Sequence, residues 1–253
     1  MSMRKIVATV SLVAGALFTA QGAVAGDKIR IATEGAYAPF NTVDASGQLA
    51  GFDVDIAKAL CAEMKADCEI VAQEWTGMIP ALKQRKFDAI IASMSITEER
   101  LRAVDFTNPY YSNVLAFLAA KGTDLDTSKE GLDGLVIGAQ KATIAGQYLE
   151  DNYGDIATVK LYDTQDKAYL DLAAGRLDAM LSDKFPAYDW MSAQEAGKGF
   201  EFKGQDIDID DKIGIAIRKG DKLKEKFNTA LKAIVDNGTY QKINAQYFPF
   251  SIL

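Results

Sequence analysis

Residues 82–89, LKQRKFDA, decide the fold, because a related segment returns at residues 172–179 as LAAGRLDA. In both segments the pattern predicts the end of an amphipathic helix, a basic turn and a buried strand that opens with Asp-Ala. Two copies of one such unit predict two lobes built in the same way. Five residues beyond the shared aspartates lie Ser93 and Asp183. We expect both at the carboxyl ends of equivalent strands, where open α/β sheets bind ligands.

Outward from this repeat, short apolar strands alternate with amphipathic helices. The predicted strands are 29–33, 69–73, 87–93, 136–139, 159–162, 177–181 and 213–217. The predicted helices are 53–65, 77–85, 143–153, 166–174, 222–235 and 240–247. This alternation is typical of α/β proteins with mostly parallel sheets. Two such sheets that face each other across a cleft would bring Ser93 and Asp183 together.

Residues 1–25 have the features of a secretory signal peptide. Arg4 and Lys5 precede an apolar run over residues 6–20, and small residues follow at positions 23 and 25, which signal peptidase reads. The apolar run is too short and wrongly flanked for a permanent membrane anchor, and a buried N-terminal helix is the weaker alternative. No later stretch approaches the ~18 apolar residues of a membrane-spanning helix. We therefore expect an exported protein whose mature chain begins near Gly26.

The charge of the chain argues against two classes of partner. The full sequence has 28 basic and 35 acidic residues. Without residues 1–25, 26 basic residues face 35 acidic ones, which gives a net charge of −9. Such a surface repels nucleic acid and anionic lipid, so neither is expected as a partner.

The two cysteines, Cys61 and Cys68, are close in sequence, and the chain contains no histidine. In an exported protein a disulfide between them is plausible. A metal site is the weaker interpretation, because two cysteines without histidine lack the remaining ligands. The absence of histidine also removes histidine-based triads and general bases. We expect no metal, no cofactor and no catalytic residue.

A series of motifs carries a specific resemblance to a known family. In chain order they are TEGAYAPF at 33–40, GFDVD at 51–55, Trp75 with IPAL at 79–82, FDAII at 87–91, SMSITEER at 93–100, DFT at 105–107, GRLDA at 175–179 and NGTY at 237–240. With these motifs the mature chain resembles the polar amino-acid-binding proteins of bacterial ABC importers, family 3 of the solute-binding proteins. Within that family it most resembles the lysine/arginine/ornithine- and histidine-binding proteins, which carry a cysteine pair at the same place.

The resemblance implies a two-lobed periplasmic-binding-protein fold of type II, an α/β architecture in which two hinge strands join the lobes. Lobe 1 would comprise residues 26–114 and 215–253, and lobe 2 residues 115–214. The hinge strands would lie near 113–121 and 206–217, and the lobes would close around the ligand. The resemblance also implies a monomer in the periplasm that delivers an amino acid to the membrane permease of the importer.

The resemblance and the chemistry of a zwitterion together define the expected site. An amino acid needs a partner for each charge, because desolvation otherwise opposes binding. We expect Arg100 to bind the α-carboxylate and Asp183 to bind the α-ammonium. Ser93, Ser95 and the backbone N–H groups near Ser95 and Thr143 are expected beside these two charges. Tyr37 and Trp75, together with the Glu34 carboxylate, would bind a cationic side chain of the ligand. The remaining expected site residues are Met94, which neighbours the serines, and Lys141 near the cleft.

Three positions depart from the best-known lysine/arginine binders and leave alternatives open. Glu34 replaces an aspartate, Ala92 replaces a serine, and Lys141 replaces a glycine. The alternatives are an opine, which Lys141 would favour, and a neutral amino acid such as glutamine. A dehydratase on the same fold, or a sensor-associated binding module, is also compatible with the motifs. A cationic L-amino acid, arginine or ornithine ahead of lysine and histidine, is the expected ligand.

Overall fold

A computed structural model describes residues 28–253, so the predicted signal peptide at 1–25 lies outside the described residues. The strands of this region are β1 Ile29–Thr33, β2 Ala36–Tyr37, β3 Asn41–Val43, β4 Leu49–Ala50, β5 Cys68–Ala72, β6 Ala89–Ile90, β7 Asp105–Phe106, β8 Tyr111–Ala120, β9 Val136–Gln140, β10 Thr158–Tyr162, β11 Ala179–Asp183, β12 Phe200–Ile213 and β13 Ala216–Ile217. The α-helices are α1 Phe52–Glu63, α2 Met78–Lys83, α3 Glu98–Ala103, α4 Ile144–Tyr153, α5 Gln165–Ala173, α6 Lys184–Ala193, α7 Leu223–Asp236 and α8 Thr239–Tyr247. Among residues 28–253, no helix is long and apolar enough to cross a membrane.

Two five-stranded sheets form the two lobes. In the first lobe the strand order is β5-β1-β6-β13-β7, with β1 parallel to β5 and β6, and with β13 antiparallel to its neighbours. In the second lobe the order is β10-β9-β11-β8-β12, with β9 parallel to β10 and β11, and with β8 antiparallel to β11 and β12. A small antiparallel sheet, β2-β3-β4, follows β1. The predicted two-lobed α/β architecture with mixed sheets is confirmed, although each five-stranded sheet has two parallel and two antiparallel pairings rather than mostly parallel ones.

The sequence repeat is also a structural repeat. The backbone N–H of Asp88 donates to the carbonyl of Arg30, whose own N–H donates to the Asp88 carboxylate at 3.0 Å. Asp178 makes the same pair of hydrogen bonds with Val136, where the N–H to carboxylate distance is 2.8 Å. Each aspartate thus attaches the start of one strand, β6 or β11, to the start of a neighbouring strand. The shared Asp-Ala has the same local function in both lobes.

The turns before these strands match as well. Arg85 and Gly175 occupy equal positions of the repeat and both have left-handed backbone, with φ of 61° and 68°. Glycine adopts this conformation without steric cost, whereas arginine does not. At Arg85 the backbone carbonyl accepts a hydrogen bond from the Arg30 guanidinium at 2.8 Å, which helps to hold the turn.

The chain crosses between the lobes along the paired strands β8 and β12. Asp211 lies opposite Asn113 in this antiparallel pair, and Ile213 lies opposite Tyr111. The same end of β12 reaches the first lobe, where the Gly214 N–H donates to a backbone carbonyl of the 93–100 motif at 3.1 Å. The predicted hinge segments near 113–121 and 206–217 overlap these strands. The lobe boundaries and the hinge movement stay predictions.

Two predicted strands are shorter than expected. The expected strand 87–93 is reduced to Ala89–Ile90, and it is followed by left-handed backbone at Ser93, where φ is 53°. The expected strand 213–217 is split, because Ile213 ends β12 and β13 begins after Gly214. Helices α3 and α6 were not among the predicted elements, since their segments carry little periodicity, whereas β8 and β12 overlap the predicted hinge strands.

The cysteine pair forms a disulfide that joins the end of α1 to the start of β5. The Cys61–Cys68 bond is present, and the cysteines are separated by seven residues. We predict that the mature protein contains no free thiol, which thiol labelling with intact-mass analysis would show. Changing both cysteines to serine should lower the free energy of unfolding by roughly 2–3 kcal/mol, because the closed loop is short. Two reactive thiols in the non-reduced protein would contradict the prediction.

Candidate functional site

A small cavity lies between the two lobes. Its wall is formed by Glu34, Tyr37, Trp75, Ala92, Ser93, Ser95, Arg100, Gln140, Thr143, Ile144 and Asp183. The structure therefore brings together eight of the ten residues that the sequence assigned to the site.

Arg100 lies in the first turns of α3 and reaches across the cleft. Its guanidinium donates at 2.8 Å to the carbonyl of Ser95 in its own lobe and at 2.8 Å to the carbonyl of Ala142 in the other lobe. Thr97 begins the helix, and its hydroxyl accepts the Arg100 N–H at 3.2 Å. Burial lowers the pKa of Arg100, which the carboxylates of Asp211 and Asp183 oppose. A guanidinium has five N–H donors, so further donors remain for an anionic group.

Asp183 ends β11 and faces the first lobe from the second. The hydroxyl of Tyr37 donates a hydrogen bond to its carboxylate across the cleft. Burial, reinforced by the charge of Asp211, raises the pKa of Asp183 to about 7, while Tyr37 and Arg100 oppose the shift. An acid of this kind becomes ionised more readily when a cation is placed beside it.

The aromatic residues of the wall join the lobes. The indole N–H of Trp75 donates to the Ala142 carbonyl at 3.1 Å, and the Arg100 guanidinium lies over the indole ring at 5.3 Å from its centroid. Ala142 therefore accepts from two side chains of the facing lobe, and its backbone is left-handed with φ of 56°. Tyr37 makes the third direct cross-lobe contact through Asp183. The structure is thus a closed conformation of the two lobes.

Glu34 lies on the same cavity and is also largely withdrawn from water. The amide of Gln140, in the second lobe, donates to its carboxylate at 2.8 Å and also donates to the Asp163 carbonyl at 3.3 Å. Burial raises the pKa of Glu34 to about 7; the Gln140 hydrogen bond opposes this, whereas the charges of Asp166 and Glu74 add to it. Gln140 and Glu34 therefore form a polar pair that can hold either a cationic or an amide-bearing group.

The hydroxyl of Ser93 has a partner inside the first lobe. It donates at 2.9 Å to the buried carboxylate of Asp53, which also accepts from the Asn41 amide at 2.9 Å and the Tyr110 hydroxyl at 2.6 Å. A buried carboxylate needs such donors to offset desolvation. Ser93 therefore supports the wall from behind, and the hydroxyl that we expected beside the ligand's ammonium is already engaged.

Thr143 begins helix α4 at the edge of the cavity. Its hydroxyl accepts the Gly146 N–H at 3.1 Å and donates to the Gln140 carbonyl at 2.7 Å. The first turn of α4 thus faces the cavity through Thr143 and Ile144. Backbone N–H groups at the start of a helix favour an anion, which agrees with the expected position of a carboxylate.

Two of the expected site residues lie outside the cavity wall. The Met94 side chain is buried in the hydrophobic core of the first lobe, because it alternates with the wall residues Ser93 and Ser95 along the chain. Lys141 points away and forms an ion pair with Asp163 at the end of the adjacent strand. An exposed ion pair avoids the desolvation that a cation would meet inside the cleft.

Two polar residues at the centre of the molecule, Gln140 and Asp211, were not predicted from the sequence. Gln140 ends a strand, and nothing in its neighbours distinguishes it from an ordinary strand end. Asp211 belongs to the acidic run DIDIDD at 206–211, which reads as a solvated segment. In the structure Asp211 is 3% exposed and hydrogen bonds to Asn113, so only its tertiary contacts reveal it.

The family is shown by comparison with known proteins. Residues 29–250 match the family of bacterial extracellular solute-binding proteins, family 3. The chain belongs to this family. As a family 3 solute-binding protein it has the two-lobed cavity described above, and the resemblance stated from the motifs is confirmed.

Relatives of this solute-binding protein include proteins named for arginine. The chain is 44% identical over 235 residues to the L-arginine-binding protein of Pseudomonas aeruginosa, and the aligned region covers 90% of this chain and 91% of the relative. The chain is 36% identical over 258 residues to the lysine/arginine/ornithine-binding periplasmic protein of Escherichia coli, and the aligned region covers 99% of each chain. A solved structure of an ancestral arginine-binding protein bound to arginine is similar with a TM-score of 0.83 and 35% identity, over 88% of this chain and 99% of that one.

Proposed function

We propose that this chain is the periplasmic solute-binding component of an ABC importer and that its cavity binds a cationic L-amino acid, arginine or ornithine ahead of lysine and histidine. The relatives named above are binding proteins, and their names support the ligand class. In this proposal the protein acts as a monomer that closes around its ligand and delivers it to a membrane permease.

The observation that carries the ligand class is the set of charges on the cavity wall. Among the described residues, the wall holds two carboxylates, Glu34 and Asp183, and one guanidinium, Arg100. When all three are ionised their sum is −1. Arginine at neutral pH carries one carboxylate and two cationic groups, so it compensates the wall charge group by group. We assign Arg100 to the α-carboxylate, Asp183 to the α-ammonium and Glu34 to the far end of the side chain.

Burial makes this compensation important. Without a ligand cation, Glu34 and Asp183 hold their protons up to a pH of about 7. A cation beside either acid favours the ionised form and lowers its pKa. Binding of a ligand with two cationic groups is therefore linked to loss of protons from Glu34 and Asp183. Each contact between a cationic group and its carboxylate is then a charge-assisted hydrogen bond.

A neutral amino acid such as glutamine is the second candidate. It is favoured by the same Glu34, whose pKa of about 7 leaves a large protonated fraction at neutral pH. A protonated Glu34 and the amide of Gln140 could hold a neutral amide side chain between them. The opine alternative loses support, because Lys141 pairs with Asp163 and so supplies no second cation for an extra carboxylate.

The test compares arginine and glutamine by calorimetry in wild type and in Glu34→Gln. If Glu34 holds a cationic group, the change should weaken arginine binding by about 1.5–3 kcal/mol and leave glutamine binding almost unchanged. Glu63→Gln removes an exposed acid of the same lobe and serves as the matched control. A wild type that prefers glutamine, or a variant that binds arginine normally, would refute the cationic assignment.

A further inference from the structure

The hinge contains a buried acid that no part of the ligand assignment above uses. Asp211 on β12 lies opposite Asn113 on β8, and the Asn113 amide donates to its carboxylate Oδ2 at 3.1 Å. The two residues are 3% and 4% exposed. A carboxylate in such a place normally requires several donors, because burial of a charge is costly unless it is paired.

The hinge pair has few such donors: the Asn113 amide donates to one carboxylate oxygen of Asp211, and the Ser95 hydroxyl lies near enough to oppose the rise in its pKa. Within residues 28–253, neither Oδ1 of Asp211 nor Oδ1 of Asn113 has a hydrogen-bond partner. Both unpaired atoms are acceptors, so together they leave a deficit of donors at one point of the hinge. Buried unpaired polar groups are rare and destabilising, and their presence calls for a functional reason.

The hinge pair lies directly behind the ligand cavity. The negative charge of Asp211 raises the pKa of Asp183, and the side-chain amide of Asn113 lies close enough to Asp183 to oppose that shift. The charge of Asp211 also acts on Arg100. The strand register agrees with this proximity: Asp183 lies opposite Leu115, two residues along β8 from Asn113, and Ser95 of the cavity wall pairs with Ile213, two residues along β12 from Asp211.

We propose that Asp211 is a positioning residue of the ligand site: through Asn113 it backs Asp183 and adds a second buried negative charge to the side of the cavity that receives the ligand's α-ammonium group. This inference rests on the proposed function, since it requires a ligand with an α-ammonium. A ligand without that positive charge leaves two neighbouring acids uncompensated, so Asp211 selects against N-acylated or deaminated compounds.

The surroundings of the two acids define the consequence for protons. The charged groups that face them are Arg100 and Lys212, and the neighbouring phenol hydroxyls belong to Tyr37, Tyr111 and Tyr169. Burial raises the pKa of both acids, and the charge of Asp211 raises the pKa of Asp183 further. Without ligand the pair keeps a proton near neutral pH, and the incoming ammonium takes its place. Affinity should therefore be full above pH 7 and fall as the pH drops below 7.

The test measures arginine binding to wild type and to Asp211→Asn by calorimetry at pH 7. Repeating each titration in two buffers with different ionisation enthalpies gives the number of protons released on binding. The matched control is Asp210→Asn, because Asp210 is the adjacent acid of the same strand but is exposed and pairs with Lys212. Asp211→Asn should weaken arginine binding roughly tenfold through loss of one buried charge. The Asp211→Asn variant should also release fewer protons when arginine binds, because the pKa of Asp183 falls once the charge of Asp211 is removed. The proton release from Glu34 should be unchanged.

A melting curve without ligand separates this role from a structural one. The new amide can donate to the unpaired Oδ1 of Asn113, so Asp211→Asn should melt no lower than wild type. Asp210→Asn should leave affinity and proton release unchanged. Arginine binding and proton release equal to wild type in Asp211→Asn would overturn the role of Asp211 and leave the proposed function intact. If wild type itself binds no amino acid, the proposed function fails and this inference falls with it.

Discussion

Arg100→Ala should weaken arginine binding by about 3–5 kcal/mol, which is more than a hundredfold in affinity. The expected loss is large for two reasons. The α-carboxylate of the ligand would be buried without its cation, and the cross-lobe hydrogen bond from the guanidinium to the Ala142 carbonyl would disappear. Isothermal titration calorimetry on folded variant protein measures the effect.

Two further variants sharpen this experiment. Arg100→Lys keeps the charge but not the planar fork of donors, so its affinity should lie between those of wild type and Arg100→Ala. Arg102→Ala removes an exposed arginine from the same helix and should bind arginine normally. Near-normal affinity in Arg100→Ala would remove this residue from the site.

Asp183→Asn should have a comparable effect, about 3–5 kcal/mol, because the α-ammonium would lose its buried counter-charge. The variant keeps the shape of the side chain and an acceptor for the Tyr37 hydroxyl, so the closed contact between the lobes is retained. Calorimetry with arginine, beside a melting curve as a check of folding, measures the loss. Asp133→Asn, which changes an exposed acid of the second lobe, is the matched control.

The pH profile of the same variant gives a second measurement. In wild type the pKa of Asp183 without ligand is raised to about 7, so arginine affinity should fall as the pH decreases through 7. Asp183→Asn should lose the part of this dependence that Asp183 contributes and keep the part due to Glu34, whose pKa is also about 7. An unchanged pH profile together with wild-type affinity would exclude Asp183 as the ammonium partner.

The two charges that these experiments remove were both predicted from the sequence. Arg100 was identified by the motif at 93–100, and Asp183 by its equal position to Ser93 in the repeat. The position of Asp183 was predictable because a strand end is a local feature: the Asp-Ala that opens β6 and β11 positions the residues at the carboxyl ends of both strands. The pairing of Cys61 with Cys68 was predictable for the same reason, since helix end and strand start are neighbours in sequence. Arg100 was expected instead from the resemblance of its motif to the family.

The polar partners of the site could not be predicted in this way. Lys141 was expected near the cleft, yet Asp163, which is distant in sequence, holds it outside. Ser93 was expected to serve the ligand, yet its hydroxyl is engaged by the buried Asp53 of helix α1. Gln140 was missed, although it meets Glu34 across the cleft. In each case the deciding partner comes from a different element or lobe.

The amino-acid sequence by itself determined the two lobes, the order of their elements and the charged residues at the strand ends, because periodicity and turn residues act over consecutive positions. Only the tertiary structure decided which polar side chains face the cavity and which are occupied elsewhere. It also converted Asp211 from one acid in an exposed acidic run into a buried carboxylate beside Asn113. The physical reason is that desolvation and hydrogen-bond partners, which set the charge and direction of a polar side chain, depend on residues that only the closed fold brings together.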